Sequence, residues 1–197
     1  MDRRSFLKGS AAVIPATVAL QMLGGRWVFA QGSDFKDDVD VLNYALTLEF
    51  LEAEFYKQGL AKNLLSGAEG TLAKRIGADE QAHVVLLSDT IKKIGGKPVA
   101  APKVDFGGAY KNRESFLKLA HVFENTGVQA YLGAAGFIKD KALLQAAAGI
   151  FGVEARHAAV IGDLLGLKAE GGVFMGNTET PKSKDEVLKA VKPFIKG

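Results

Sequence analysis

Two motifs each occur twice along the 197-residue chain, and this repetition restricts the fold more than any other feature of the sequence. One motif is a glutamate followed seven residues later by a tyrosine, and the other is a glutamate followed three residues later by a histidine. Both spacings place the two side chains on one face of a helix. Shifts of 75 and 74 residues superimpose the copies: Glu49 and Tyr56 on Glu124 and Tyr131, and Glu80 and His83 on Glu154 and His157. The sequence therefore predicts a helix pair that occurs twice, related by an approximate two-fold axis that brings these side chains opposite each other.

Apolar residues at helical spacing predict four long helices, over residues 38–59, 71–94, 112–138 and 140–165. A capping box that begins at Ser183 predicts a short fifth helix. The Pro- and Gly-rich segment 95–111 would cover about 55 Å when extended, and a 24-residue helix is about 36 Å long. Helices two and three can therefore lie parallel. The predicted fold is all-α: a four-helix bundle with one long crossover between helices 2 and 3, plus a short C-terminal helix. No strand pattern competes with it.

The first thirty residues have the layout of an export signal. The pair Arg3-Arg4 precedes Ser-Phe-Leu-Lys, a run of small apolar residues follows over 10–23, and small residues lead up to Ala30. This pattern resembles the bacterial twin-arginine signal, which implies export of an already folded protein to the periplasm or beyond. Pro15 interrupts the run, which is shorter than the roughly 20 residues of a membrane span, so we expect no stable span after cleavage. The predicted domains are the signal at 1–30, the bundle at 31–170 and a C-terminal extension at 171–197.

The composition excludes several kinds of site. The chain has no cysteine, so disulfides, thiolate zinc sites, cysteine-bound iron–sulfur clusters and cysteine nucleophiles are excluded. Any metal must be held by Asp, Glu and the three His. The net charge of +3 comes from the first thirty residues, and the remainder is neutral. A neutral chain without a basic stripe argues against a nucleic-acid partner.

The repeated acidic residues point to a metal site. Four carboxylates that face one apolar core lose their hydration, at several kcal/mol per ion, and repel one another. Two divalent cations would balance their four negative charges. The predicted metal ligands are one glutamate from each of two helices and a Glu-x-x-His pair from each of the others: Glu49, Glu80, His83, Glu124, Glu154 and His157. Glu52 is the rival of Glu49 on helix one, and we favour Glu49 because the repeat partner of Glu52 is Gly127. Iron and manganese accept the same ligands, so the metal is left open.

Three further residues could assist the ligands. Tyr56 and Tyr131 could hydrogen-bond ligand carboxylates or relay electrons, or could be core tyrosines with satisfied hydroxyls. His121 lies three residues before Glu124 and could be an extra ligand or a hydrogen-bond partner of one, or an ordinary helix histidine. Asp89 and Asp163 match across the repeat but fall on a different face, where we expect them to be solvated.

A family resemblance rests on three segments of the sequence. They are the opening Leu-Asn-Tyr-Ala-Leu-Thr-Leu-Glu-Phe-Leu-Glu-Ala-Glu-Phe-Tyr at 42–56, Asp-Glu-Gln-Ala-His at 79–83, and Gly-Val-Gln-Ala-Tyr at 127–131. Over about residues 38–167 the chain resembles exported bacterial ferritin-like domain proteins. The resemblance implies a ferritin-like four-helix bundle with a di-iron or di-manganese centre, and it does not imply an activity.

Three functions fit this reading. We expect redox chemistry on dioxygen or peroxide, because two adjacent redox metals can share two electrons. The alternatives are a non-catalytic metal-binding or stress- and desiccation-associated envelope protein and, ranked last, ferroxidase activity with iron storage. The expected partner is a small-molecule substrate, and a homo-oligomer is left open.

Overall fold

The computed structural model describes residues 35–196, so the predictions for the export signal at 1–30 lie outside the described residues. The long helices are α1 (Asp38–Leu60), α2 (Gly67–Lys93), α3 (Arg113–Ala135) and α4 (Lys141–Leu164), and the short α5 covers Lys184–Val191. Short 3-10 helices cover Gly107–Tyr110 and Lys192–Phe194, and a two-stranded sheet is formed by β1 (Lys103–Val104) and β2 (Ile195–Lys196). The predicted all-α, four-helix bundle is confirmed. Within the described residues, no helix has the length and apolarity needed to cross a membrane.

Side-chain caps fix the starts of α3, α4 and α5. Asn112 and Ser115 form a capping box at the start of α3, and Ser183 with Glu186 forms the predicted one at α5. The Asp140 side chain accepts from the backbone at the start of α4. The prediction for α2 began four residues late, because Ser66-Gly67 read as a break in the sequence. In the structure the helix begins at that glycine.

The bundle is built from two helix hairpins, α1 with α2 and α3 with α4, which make the most extensive contacts between elements. Short connections make each hairpin antiparallel. The crossover between them contributes to the core. Its Phe106 ring packs 5.3 Å from that of Phe55, which also stacks on Phe116 at 5.0 Å and meets Phe123 edge-on at 5.1 Å. This aromatic cluster fixes one end of α1 against α3.

The two short strands were not predicted. β1 lies in the crossover and pairs antiparallel with β2 at the C-terminus, with Lys103 opposite Lys196 and Val104 opposite Ile195. Strands of two residues are too short to show an alternating pattern in a sequence.

The C-terminal extension packs against the bundle. Val187 and Val191 of α5 are buried, and the Lys182 backbone N–H donates to the carbonyl of Gln129 on α3. A Cβ atom at Gly133 would lie 1.9 Å from the Lys182 carbonyl oxygen, so only glycine lets the extension approach α3 this closely.

Candidate metal centre

The four long helices direct charged side chains into the centre of the bundle. The four glutamates predicted as ligands have no exposed surface, and the two histidines are 7% and 6% exposed. The contributions are Glu49 from α1, Glu80 and His83 from α2, Glu124 from α3, and Glu154 and His157 from α4. The structure therefore brings all six predicted ligands to one place, although they are up to 108 residues apart in the chain.

Ligand atoms of these side chains converge in two groups, within each of which they all lie within 4.8 Å of one another. The first group is Glu49, Glu80, His83 and Glu154, and the second is Glu80, Glu124, Glu154 and His157. Each group has the size and composition of a site for one cation. Glu80 and Glu154 belong to both groups, so they would be the carboxylates shared between two ions.

Both imidazoles turn the Nδ1 nitrogen towards the carboxylates. Nδ1 of His83 lies 3.2 Å from Glu49, 3.2 Å from Glu80 and 3.1 Å from Glu154. Nδ1 of His157 lies 2.8 Å from Glu80 and 3.3 Å from Glu124. The two ring centroids are 6.4 Å apart. Each histidine thus presents one nitrogen to one ligand group.

The pKa values of the carboxyl groups reflect burial and mutual repulsion. Burial and then the charge of Glu154 raise the pKa of Glu80 to about 7. Burial and then the charge of Glu80 raise the pKa of Glu124 to about 7, and burial with Glu49 raises that of Glu154 to about 8. The cluster therefore holds its negative charge only at a cost, which added positive charge would reduce.

The pKa values of the two histidines are also raised, which favours their positively charged form. Burial lowers the pKa of His83, but hydrogen bonds to Glu154, Glu49 and Glu80 outweigh it and raise the pKa to about 12. For His157, burial is likewise outweighed by Glu124 and Glu80, and the pKa rises to about 11. The carboxylates thus favour cations in their midst.

Several atoms of the cluster lack an aligned hydrogen-bond partner within the described residues. They are Oε1 of Glu80, Oε2 of Glu124, both oxygens of Glu154 and Nδ1 of His157. Buried polar atoms without partners are rare in folded proteins because each one costs free energy. These atoms are carboxylate oxygens and an imidazole nitrogen, which are donors that iron and manganese bind. The residues present therefore fit a pair of metal ions.

The two tyrosines reach the cluster across the two-fold repeat. Tyr56 of α1 donates its hydroxyl to Oε1 of Glu124 on α3, and Tyr131 of α3 donates to Oε1 of Glu49 on α1 at 2.5 Å. Burial and then the charge of the accepting glutamate raise the pKa of both hydroxyls well above the usual range, so they stay donors. Of the predicted roles, the geometry favours hydrogen bonding to a ligand carboxylate.

His121, the third predicted helper, does not reach the cluster. Its Nε2 lies 3.1 Å from the carbonyl oxygen of Gly172, where the chain passes over α3 and α4. Of the two readings left open for His121, the geometry favours the ordinary helix histidine over a role beside the ligands. Asp89 and Asp163 are exposed, as expected.

Asp79 was missed by the sequence analysis. Its Oδ2 lies 3.4 Å from Nε2 of His157, and its Oδ1 forms an ion pair with Arg75 at 2.7 Å. A carboxylate at the outer nitrogen of a ligating histidine fixes the tautomer and orientation of the ring. No spacing within α2 points to this role, since the histidine lies on another helix.

Glu52 was judged the weaker of two candidates on α1, but the structure buries both. It is 3% exposed, and burial and then the charges of Glu154, Glu80, Glu124 and Glu49 raise its pKa well above the usual range. The preference for Glu49 as the ligand agrees with the two ligand groups, which contain Glu49 and not Glu52. The burial of Glu52 could have been predicted from its i, i+3 spacing from Glu49, in a helix that is buried along most of its length.

Comparisons with known proteins agree with the fold. The family model of the ferritin-like domain matches residues 37–167. No curated protein matches the chain. Among solved structures, the chain is similar to a crystal structure described as ferritin like, diiron-carboxylate proteins from Bacillus anthracis str. Ames, with 21% sequence identity and a TM-score of 0.55. The similarity covers 64% of this chain and 94% of that one. At this identity the match supports a common fold.

Proposed function

Because the chain belongs to the ferritin-like domain family, we propose that it holds two iron or manganese ions and carries out redox chemistry on dioxygen or peroxide. The observation that carries this proposal is the pair of four-residue ligand groups that share Glu80 and Glu154. The similar Bacillus anthracis structure is described as a diiron-carboxylate protein, which favours iron as one of the two metals to test.

The proposed roles follow from the grouping. Glu49 and His83 would complete the ligands of one ion, and Glu124 and His157 those of the other. A pair of redox metals supplies two electrons at one place, which is the number needed to reduce peroxide to two water molecules when two protons are taken up. The protein's part is to hold the ligands and to keep the surroundings dry. The hydroxyls of Tyr56 and Tyr131 would orient the two carboxylates that belong to one ion each.

The proposal includes export. The paired arginines and the apolar run of residues 1–30 support transport by the twin-arginine route to the periplasm or beyond. A protein exported after folding can acquire its metal in the cytoplasm. We therefore propose that the identity of the metal is set before transport, and that the partner outside is a small molecule.

A non-catalytic role is the second candidate, and one observation favours it. None of the four glutamates in the two ligand groups has exposed surface. A closed metal centre would stabilise the bundle without exchanging substrate, as in a metal-binding or stress-associated envelope protein.

Metal analysis and turnover separate the two candidates. The protein is purified without oxygen from its native export route, its metal content is measured, and dioxygen or hydrogen peroxide is added to the protein loaded with iron or manganese. Two metal ions per chain with consumption of substrate support the redox proposal. Two ions without consumption support the non-catalytic role, and fewer than one ion per chain contradicts both.

A matched pair of variants ties the result to the centre. Glu154→Gln removes the charge of a shared ligand and should lose at least one ion and all turnover. Glu114→Gln makes the same chemical change on the surface of α3, where the side chain pairs with Lys118, and should behave as the unchanged protein.

A further inference from the structure

An apolar groove lies on the outer side of α4, where α4 meets the first turns of α2 and the segment 167–174. The side chains that line this α4 groove include Leu72, Ala159, Val160, Leu167, Val173 and Phe174. Phe174 is 59% exposed, and Leu72 and Leu167 are each 38% exposed. Single exposed apolar side chains are ordinary, but a group of them from three parts of the chain around one groove indicates a surface that another molecule covers.

Two opposite charges flank the α4 groove. Arg156 precedes Ala159 and Val160 along α4, and Asp163 follows them. Seven residues separate the two charged side chains, so they lie on one face of the helix, and both are exposed. Among residues 35–196, neither side chain forms an ion pair or a hydrogen bond. The groove therefore carries one positive and one negative charge that its own chain does not neutralise.

A two-fold axis beside the groove would match these charges. When a helix packs antiparallel against its own copy about such an axis, each residue faces the one that lies equally far beyond the axis. With the axis between Ala159 and Val160, Arg156 faces the partner's Asp163, and Asp163 faces the partner's Arg156. A single contact would thus form two ion pairs. It would also lay one groove against the other and remove both copies of Phe174 from water.

We propose that the α4 groove is the interface of a homodimer in which α4 packs antiparallel against α4 of a second copy. The apolar side chains supply the free energy of association, and the two ion pairs fix the register. Because the charges of the groove balance within one copy, the surface favours its own copy over a nucleic acid or an anionic lipid surface. None of the groove residues belongs to the ligand groups, so the dimer does not depend on the proposed metal function.

The dimer has a consequence for the ligand cluster. The buried face of α4 carries Glu154 and His157, and the opposite face carries the groove. Association would therefore hold α4 from both sides, between the cluster and the second copy.

The test measures the mass of the purified protein by sedimentation equilibrium over micromolar concentrations. Asp163→Arg places two pairs of like charges in the interface and is expected to raise the dissociation constant of the dimer at least about 10-fold. The double variant Arg156→Asp, Asp163→Arg exchanges the charges and should restore the dimer. Asp89→Arg is the matched control, because it changes the exposed residue of α2 that the repeat aligns with Asp163. Circular dichroism verifies the fold of each variant.

A second pair of variants tests the apolar part of the interface and keeps every charge. Phe174→Ser removes the most exposed ring of the groove and should weaken the dimer about 10-fold or more. Val85 is also exposed, at 53%, but it lies about 20 Å from Leu72 along α2 and does not line the groove. Val85→Ser should therefore leave the dimer unchanged.

The outcomes decide between occupants of the groove. A protein that stays monomeric at every concentration overturns the proposal, and binding of that monomer to vesicles of neutral phospholipid would assign the groove to a lipid surface. A dimer that survives both Asp163→Arg and Phe174→Ser uses another surface, which also overturns the proposal. A double variant that stays dissociated would overturn the pairing of Arg156 with the partner's Asp163. The metal content, measured on the same samples, reports separately on the proposed metal function.

Discussion

Replacing Tyr56 with phenylalanine removes one hydroxyl from the centre of the bundle and leaves the ring in place. Tyr56 and its acceptor Glu124 are both fully buried, so no solvent replaces the lost hydrogen bond. Tyr110→Phe is the natural comparison. That hydroxyl donates at 3.0 Å to the uncharged carbonyl oxygen of Phe55, away from the metal centre.

The expected magnitude follows from the charge of the acceptor. A hydrogen bond to a charged group contributes about 1.5–3 kcal/mol, and one to a neutral group about 0.5–1.5 kcal/mol. The Tyr56 hydroxyl lowers the pKa of Glu124 against the effect of burial. Without it the carboxyl group keeps its proton more firmly, and a metal ion must displace that proton. We expect Tyr56→Phe to weaken metal binding about 10- to 100-fold.

Chelator competition at neutral pH measures this loss directly, with urea denaturation of the metal-free protein alongside. Tyr110→Phe should lower the free energy of unfolding and leave the metal affinity unchanged. Because Tyr131 makes the equivalent bond to Glu49, Tyr131→Phe should resemble Tyr56→Phe. A Tyr56→Phe protein that binds metal within two-fold of the unchanged protein would refute the idea that this hydroxyl supports a ligand.

Three other predictions follow from the same contacts. The pKa values of about 7 for Glu80 and about 8 for Glu154 lie above those of an unfolded chain. The metal-free protein should therefore lose stability as the pH rises from about 5 to 8, which urea denaturation measures. Its metal affinity should rise over the same range, which proton release on metal binding measures. Asp79 faces the outer nitrogen of His157, so Asp79→Asn should weaken the binding of one ion about 10-fold and leave the affinity for the other ion unchanged. A metal titration would then show a second binding step. Tyr44→Phe removes a buried hydroxyl without a partner among the described residues and should raise the melting temperature by about 2 °C, measured by calorimetry; a lower melting temperature would contradict this account of the site.

The features visible in the sequence are those encoded within single helices. Apolar spacing located the four long helices, and the i, i+3 motifs placed Glu80 with His83 and Glu154 with His157. The repeat added Glu49 and Glu124, because an approximate two-fold axis places equivalent residues of the two copies opposite each other. These inferences needed only the helical period and the cost of buried charge.

The features that escaped the sequence depend on how helices meet. Whether Asp79 faces a histidine on another helix depends on the relative rotation of α2 and α4. The burial of Glu52 depends on the space that Gly127 leaves on α3. His121 shows the converse, since a suitable spacing along α3 directs it to the loop at Gly172. Helical periodicity gives the face of a helix and leaves its register against neighbouring helices undetermined.

Two departures from the repeat make the metal positions chemically different. The repeat aligns Glu52 with Gly127, which it also faces, and it aligns Asp79 with Val153. His157 therefore has a carboxylate at its outer nitrogen, and the valine that the repeat supplies offers no such acceptor to His83. A ligand whose imidazole is held by a carboxylate is more basic and better oriented, so the ion at His157 should be the more firmly bound. A two-fold framework thus carries an asymmetric cluster of candidate ligands.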